Sequence, residues 1–229
     1  MKTRHALTAA AALAAALTGC TEQDADRFAD ALRSASAPAS AAAETSPAVD
    51  VNQTRQQLAG LTIAPEGPDA GYSREKFPHW ITIHGTCNTR EEALKRDGQG
   101  VQVGTDCYPT SGTWVSPYDG TTWHQASDVD TDHLVPLAEA WRSGASEWST
   151  AQRKAFANDL QHPQLVTVTD NENSRKSDRD VAEYRPPLQS YWCAYAVNWV
   201  DVKGAYRLTA DPAEVDALGQ MLDTCGGGS

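Results

Sequence analysis

The sequence predicts an α+β domain closed by two disulfides, and three observations carry that expectation. Strand signals, with alternating apolar residues and Gly-containing turns, gather in residues 101–123 and in short runs at 128–133 and 164–169. Helical patterns with recognisable caps flank and follow those runs, so most of the domain should be helical, with a small antiparallel hairpin. Cys87, Cys107, Cys193 and Cys225 span the same stretch, an even number in a chain that starts with an export-like segment.

The elements can be justified in chain order. Residues 1–20 hold a charged start (Lys2, Arg4), an Ala/Leu run and the string Leu17-Thr18-Gly19-Cys20. That run is too short and small-sided for a stable membrane span and reads as an export signal. Residues 21–71 consist largely of Ala, Ser, Pro, Thr, Gln and acids, with Phe28 as the only aromatic. Such a composition buries too little apolar surface to offset its ordering entropy, so a disordered tether is expected. Residues 72–229 remain, with all seven Trp, enough for one domain.

Within that domain, Asn88 or Thr89 opens a short helix, each with a Glu three residues on, and Gly98 stops it. Ser111-Gly112 and Asp119-Gly120 punctuate the strands of 101–123. Helices are expected at 136–143 and at 149–160, the second capped by Ser149 with Gln152 three on. Residues 164–169 form a short apolar strand that runs into a polar turn and helix at 171–180. Residues 187–206 form a helix apolar enough to pack on two sides. Asp211-Pro212-Ala213-Glu214 starts the last helix, with Asp as cap and Pro in the first turn. Trp114, Trp123, Trp141, Trp148, Trp192 and Trp199 sit in these apolar patterns and are assigned to the core.

Charge limits the partners. Thirty Asp and Glu against nineteen Lys and Arg give a net charge of -11 and a pI near 4.9. The export segment carries +2 and the tether -5, which leaves -8 on the domain. Broad electrostatic capture of nucleic acid is not expected; a polyanion would have to be met by a local basic patch or a metal ion.

Leu17-Thr18-Gly19-Cys20 resembles a bacterial lipobox, after which the signal is cut and Cys20 lipidated; a plain secretory signal is the alternative. Diacyl modification would supply the two chains that stable anchoring needs. Of the three pairings open to the other cysteines, Cys87 with Cys107 and Cys193 with Cys225 is favoured, because each closes a short local loop. A four-cysteine zinc site is the rival, but no two of them are two to four residues apart.

The chemistry concentrates in two segments. In Asp128-Val129-Asp130-Thr131-Asp132-His133-Leu134-Val135-Pro136, alternation puts the three acids on one strand face and His133 on the other unless the strand bends. In Leu165-Val166-Thr167-Val168-Thr169-Asp170-Asn171-Glu172-Asn173-Ser174-Arg175-Lys176-Ser177-Asp178, a strand runs into a polar turn and helix. Together these resemble the ββα-metal, or HNH, nuclease motif, as in the HNH domains of RNA-guided DNA nucleases. The strings "WITIHGTCNTREEALKRDG", "GTWVSPYDG", "AEAWRSGASEW", "FANDL", "SRKSDRDVAEYRPP" and "YWCAYAVNWVDVK" extend the resemblance to secreted HNH proteins grouped with the GmrSD restriction-enzyme C-terminal domain.

That resemblance implies an HNH core embedded in the mostly helical domain, with His133 as general base, Asp132 as a metal ligand and Asn173 as the second, Asn171 being the fallback. It implies Mg²⁺, or Mn²⁺, with open positions for water and the scissile phosphate. Lys176 or Arg175 would add positive charge beside the phosphate. The middle Asn of many HNH motifs falls near Gln164 or His162, and Gln164 could bond the loop that aims His133. Asp128 and Asp130 read as turn residues or partners of the ligands, and Arg90 as a surface ion pair or a reach into the site through the Cys87–Cys107 clip. The expectation is a monomeric, extracytoplasmic endonuclease, lipid-anchored through Cys20 or else secreted, that cuts DNA, or RNA, with little sequence preference. A surface binding lipoprotein on the same scaffold and a structural metal-binding envelope protein are the alternatives.

Overall fold

The computed structural model describes residues 50–226; the export segment, Cys20 and residues 21–49 of the expected tether lie outside the described residues. Mixed α and β structure is observed, with three small antiparallel sheets and both expected disulfides, Cys87–Cys107 and Cys193–Cys225.

The first described element corrects the tether boundary. Helix α1, Val51–Gly60, is capped by Asp50, whose side chain accepts from the backbone N–H groups of Asn52 and Gln53, and it buries Thr54 and Leu58. The chain then pairs with the body: Ala64 N–H donates to Ala210 O at 3.0 Å, Ala210 N–H to Thr62 O at 3.0 Å, and Gly67 N–H to Arg142 O at 2.9 Å. A segment too polar to fold alone can still dock on a preformed apolar face, so residues 50–71 belong to the domain.

Strands β1, Thr82–His84, and β2, Cys87–Asn88, form a hairpin that leads into α2, Thr89–Asp97. Asn88 is the cap: its side chain accepts from Glu91 N–H while Glu91 accepts from Asn88 N–H. Strands β3, Gln99–Val103, β4, Pro109–Val115, and β5, Thr122–Trp123, make an antiparallel sheet in that order. Trp114 ties it to α2 by donating from Nε1 to Leu94 O at 2.8 Å, within a small core of Leu94, Trp114, Ala126 and Val129. Gly98 stops α2 where a Cβ would lie 2.5 Å from the Trp114 indole nitrogen, so the close approach requires glycine.

Strand β6, Val129–His133, pairs antiparallel with β7, Leu165–Thr169, in unbroken register from Val129 opposite Thr169 to His133 opposite Leu165. Helices α3, Leu137–Arg142, and α4, Thr150–Ala157, lie between these strands in sequence, and α5, Asp170–Lys176, follows β7 without a loop. The larger core is built around α6, Trp192–Tyr206, and α7, Pro212–Leu222. Helix α6 begins five residues later than expected, because 189–191 form a 3₁₀ turn after Pro186-Pro187. Of the six tryptophans assigned to the core, Trp114, Trp141 and Trp199 are buried, and Trp123, Trp148 and Trp192 are half-buried against it. Among the described residues no helix is long and apolar enough to cross a membrane.

Candidate functional site

β6, β7 and α5 bring the two predicted segments together. β6 is covered on both faces, so residues 131–133 are all buried, Asp132 at 5% exposure and His133 at 4%. Helix α5 packs against both β6 and β7 and sends Lys176 back to the end of β6.

Lys176 is wholly buried, and its ammonium bridges both oxygens of Asp132, at 3.0 Å to Oδ1 and 2.8 Å to Oδ2, while donating to His133 O at 2.9 Å. The Tyr118 hydroxyl donates to Asp132 Oδ2 at 2.6 Å. Burial opposes both charges: it pushes the Lys176 ammonium down and the Asp132 carboxyl up, and each partner's charge restores part of the other's. This differs from the expected role of Lys176. A fully desolvated ammonium held by a carboxylate and a carbonyl is not offered to a phosphate in solvent.

His133 is aimed by a backbone contact. Its Nε2 lies 2.9 Å from Ala157 O, and a carbonyl only accepts, so Nε2 carries the proton and Nδ1 is the basic atom. Burial pushes the imidazole down to about 3, which keeps it neutral. A neutral imidazole so held can accept a proton. The loop beyond it is pinned by Gln164, whose Oε1 accepts from Val135 N–H at 3.1 Å and whose Nε2 donates to Val135 O at 2.8 Å, while Gln164 O accepts from Leu134 N–H at 2.7 Å. Of the two candidates the sequence offered, Gln164 is the one that bonds this loop. His162 instead pairs with Asp159 at 2.7 Å.

Asn173 is half-buried on α5 and donates from Nδ2 to Asp130 Oδ2 at 3.0 Å, and its Oδ1 makes no hydrogen bond among the described residues. Asp130 in turn lies 3.5 Å from Arg90 Nη2, and Arg90 also donates to Val129 O, so the stretch after Cys87 does reach the site's edge. Asp132, His133 and Asn173 line one cavity of about 290 Å³ with Tyr72, Arg74 and Ser177. Asn171 and Arg175 are exposed and do not line it; Arg175 pairs with Glu172 at 2.7 Å. Neither expected role, fallback ligand or phosphate contact, is met by these two side chains as placed.

Sequence reasoning missed Tyr118, Trp80 and Asn158. Trp80 stacks on His133 with ring centroids 5.2 Å apart and planes 23° apart, and His79 sits edge-on to both rings. The Trp80 backbone has φ of 55°, a left-handed conformation costing about 1–3 kcal/mol for a bulky side chain. Asn158 brackets this residue, donating to Pro78 O at 2.7 Å and accepting from Ile81 N–H at 3.1 Å. The available signal was an aromatic in Pro78-His79-Trp80, which no periodicity marks as special. Two other groups of three potential ligands exist among the described residues, His84/Cys87/Glu92 and Glu66/Asp180/Asp211, and neither contains a residue of this cavity. In the first, Cys87 is committed to its disulfide.

Comparison with known proteins agrees with the motif. The family described as GmrSD restriction endonucleases, C-terminal domain, matches residues 101–221, a stretch that contains β6, β7, α5 and every residue of the Asp132–Lys176 centre. A protein of Arthroderma benhamiae (strain ATCC MYA-4681 / CBS 112371), described as an uncharacterized secreted protein, is 58% identical over 182 residues, covering 79% of this chain and 89% of its own. No solved structure matches. The match over more than half of the sequence means that the chain belongs to the nuclease-related family of GmrSD restriction endonuclease C-terminal domains.

Proposed function

We propose that the protein is a metal-dependent HNH endonuclease that hydrolyses phosphodiester bonds of DNA, with RNA as the alternative substrate, outside the cytoplasm. The observation that supports this reading is the strand–strand–helix unit whose Asp132, His133 and Asn173 line one cavity, with His133 Nε2 held by a carbonyl. The export-like start and the secreted description of the relative support the location. Lipid on Cys20, as the Leu-Thr-Gly-Cys string suggests, would be read directly from the intact mass of the membrane-extracted protein.

The donor chemistry fits a hard divalent cation such as Mg²⁺ or Mn²⁺. Asp132 Oδ2 is filled by Tyr118 and Lys176, but Oδ1 accepts only from Lys176 and keeps a second acceptor site, and Asn173 Oδ1 makes no hydrogen bond among the described residues. Bound there, the cation would stabilise the charge that builds on the phosphate. His133 Nδ1 takes the proton from the attacking water. Ala157 O holds the opposite side of the ring, and Gln164 fixes the turn behind it, so the base meets that water in one orientation. Arg74 at the cavity wall supplies positive charge in an otherwise acidic domain.

A second reading, a binding lipoprotein that keeps the scaffold without turnover, has one observation in its favour: the Lys176 ammonium already neutralises Asp132. The two readings part on supercoiled plasmid incubated with the full chain and Mg²⁺ or Mn²⁺, beside an EDTA control and His133→Ala. The expected result is metal-dependent nicking, reduced about 10²- to 10⁴-fold in His133→Ala. Intact plasmid in every metal, or equal cutting by His133→Ala, sinks the nuclease.

A further inference from the structure

The loop that carries Trp80 has no place in the mechanism so far. Left-handed backbone is natural for glycine and unfavourable for a residue with a large side chain, so an indole there is maintained by its surroundings. Those surroundings are specific. The Asn158 side chain spans the loop, holding Pro78 O on one side of Trp80 and Ile81 N–H on the other, and Thr89 Oγ1 donates to the same Asn158 oxygen at 2.8 Å. The preceding residue, Ala157, provides the carbonyl that holds His133 Nε2. One dipeptide at the end of α4 therefore fixes the imidazole at its edge and fixes the loop that lays an indole over its face.

The second aromatic of the loop is locked as well. Arg74 Nε donates to His79 Nε2 at 3.3 Å, so His79 Nδ1 is the protonated atom and donates to Phe77 O at 2.7 Å. His79 meets Trp80 at 78° and His133 at 85°, closing a three-ring cluster, and Arg74, bonded to its His79 ring, lines the cavity.

We infer that Trp80, held left-handed by Asn158, is a positioning residue for His133: its indole face fixes the plane of the imidazole so that Nδ1 is presented to the cavity in one direction. This rests on the nuclease reading. Trp80 touches neither metal nor substrate in that reading, and its effect passes through the imidazole.

Trp80→Gly and Trp80→Phe in the full chain test it. Glycine accepts the left-handed backbone without strain but removes the stack; Phe keeps a stacking face on the same backbone. Trp80→Gly should lower kcat on plasmid about ten- to a hundredfold with KM within about twofold, and Trp80→Phe should recover kcat to within about threefold of wild type. A ring-current measurement gives a readout independent of cutting. The His133 ring CH signal, identified by its loss in His133→Ala, should move downfield in Trp80→Gly and stay near its wild-type position in Trp80→Phe. A His133 signal that does not move shows there is no stack and overturns the inference. So does wild-type kcat in Trp80→Gly, or a Trp80→Phe enzyme as slow as Trp80→Gly. Wild-type protein that shows the ring-current shift but cuts no DNA fails the nuclease reading, and the positioning role falls with it.

Discussion

Lys176 and Lys203 are both wholly buried, yet they sit in opposite kinds of surroundings. Lys203, on α6, faces two carboxylates, Glu139 at 2.8 Å and Glu214 at 2.6 Å, and also donates to Ser143 Oγ and Thr209 O. Despite burial, the two carboxylates together raise the ammonium. Lys176 faces a single carboxylate beside an open cavity, and burial wins, pushing it down. The pair of carboxylates makes one lysine a fixed strut that ties α3, α6 and α7 together. The single carboxylate leaves the other poised, with an aspartate that a stronger cation could share. The same side-chain chemistry thus yields scaffold in one place and a candidate site in the other.

The comparison can be broken by removing each ammonium. Lys203→Met leaves two buried carboxylates facing each other, and the expected loss is at least about 3–5 kcal/mol, a fall in Tm on the order of 10 °C or more by calorimetry. Divalent metal should restore none of it. Lys176→Met leaves one carboxylate with only Tyr118 as donor, a loss of about 3 kcal/mol, and Mn²⁺ should recover part of the Tm if Asp132 and Asn173 hold the cation. Equal Tm of Lys176→Met with Mn²⁺ and with EDTA would remove Asp132 from the metal site.

Acid should also single out the cavity side. His133 has a folded value near 3, below the ordinary 6.5, so the unfolded chain binds the extra proton. Its contribution to stability is present above about 6.5 and is lost as pH falls toward 3. Over that window Tm should drop less steeply in His133→Ala than in wild type; parallel pH curves would place the acid sensitivity elsewhere. The smallest effect belongs to the surface. Arg55 and Asp223 pair at 2.6 Å but are 42% and 72% exposed, so Arg55→Ala should cost less than about 1 kcal/mol in urea unfolding.

The helices beyond residue 72, the caps of three of them and strands β6 and β7 were legible because caps and alternation are local. Asn88, Ser149 and Asp211 each bond a backbone N–H within three residues, and a reader of the sequence needs nothing more distant. Asp132, His133 and Asn173, which line one cavity, were singled out through the resemblance to the HNH motif, and Gln164 by its place in it. The partner of Lys176 was not legible, because whether an ammonium points to solvent or folds back 44 residues onto Asp132 is decided by packing. Helix α1 was misread for a related reason. Its composition describes an isolated segment, whereas Leu58 is buried by docking on α6 and α7. Tyr118 and Trp80 sit in irregular chain, where periodicity carries no information.

The Cys193–Cys225 disulfide has a consequence for the lifetime of the folded chain. It joins the first turn of α6 to the chain just beyond α7, so both helices of the larger core are fastened at a common end. A carboxypeptidase nibbling inward would meet the crosslink at Cys225 before it reached α7. Fraying from that end would then have to displace the whole helical pair at once, which sets resistance to exopeptidases by the global unfolding rate rather than by local opening.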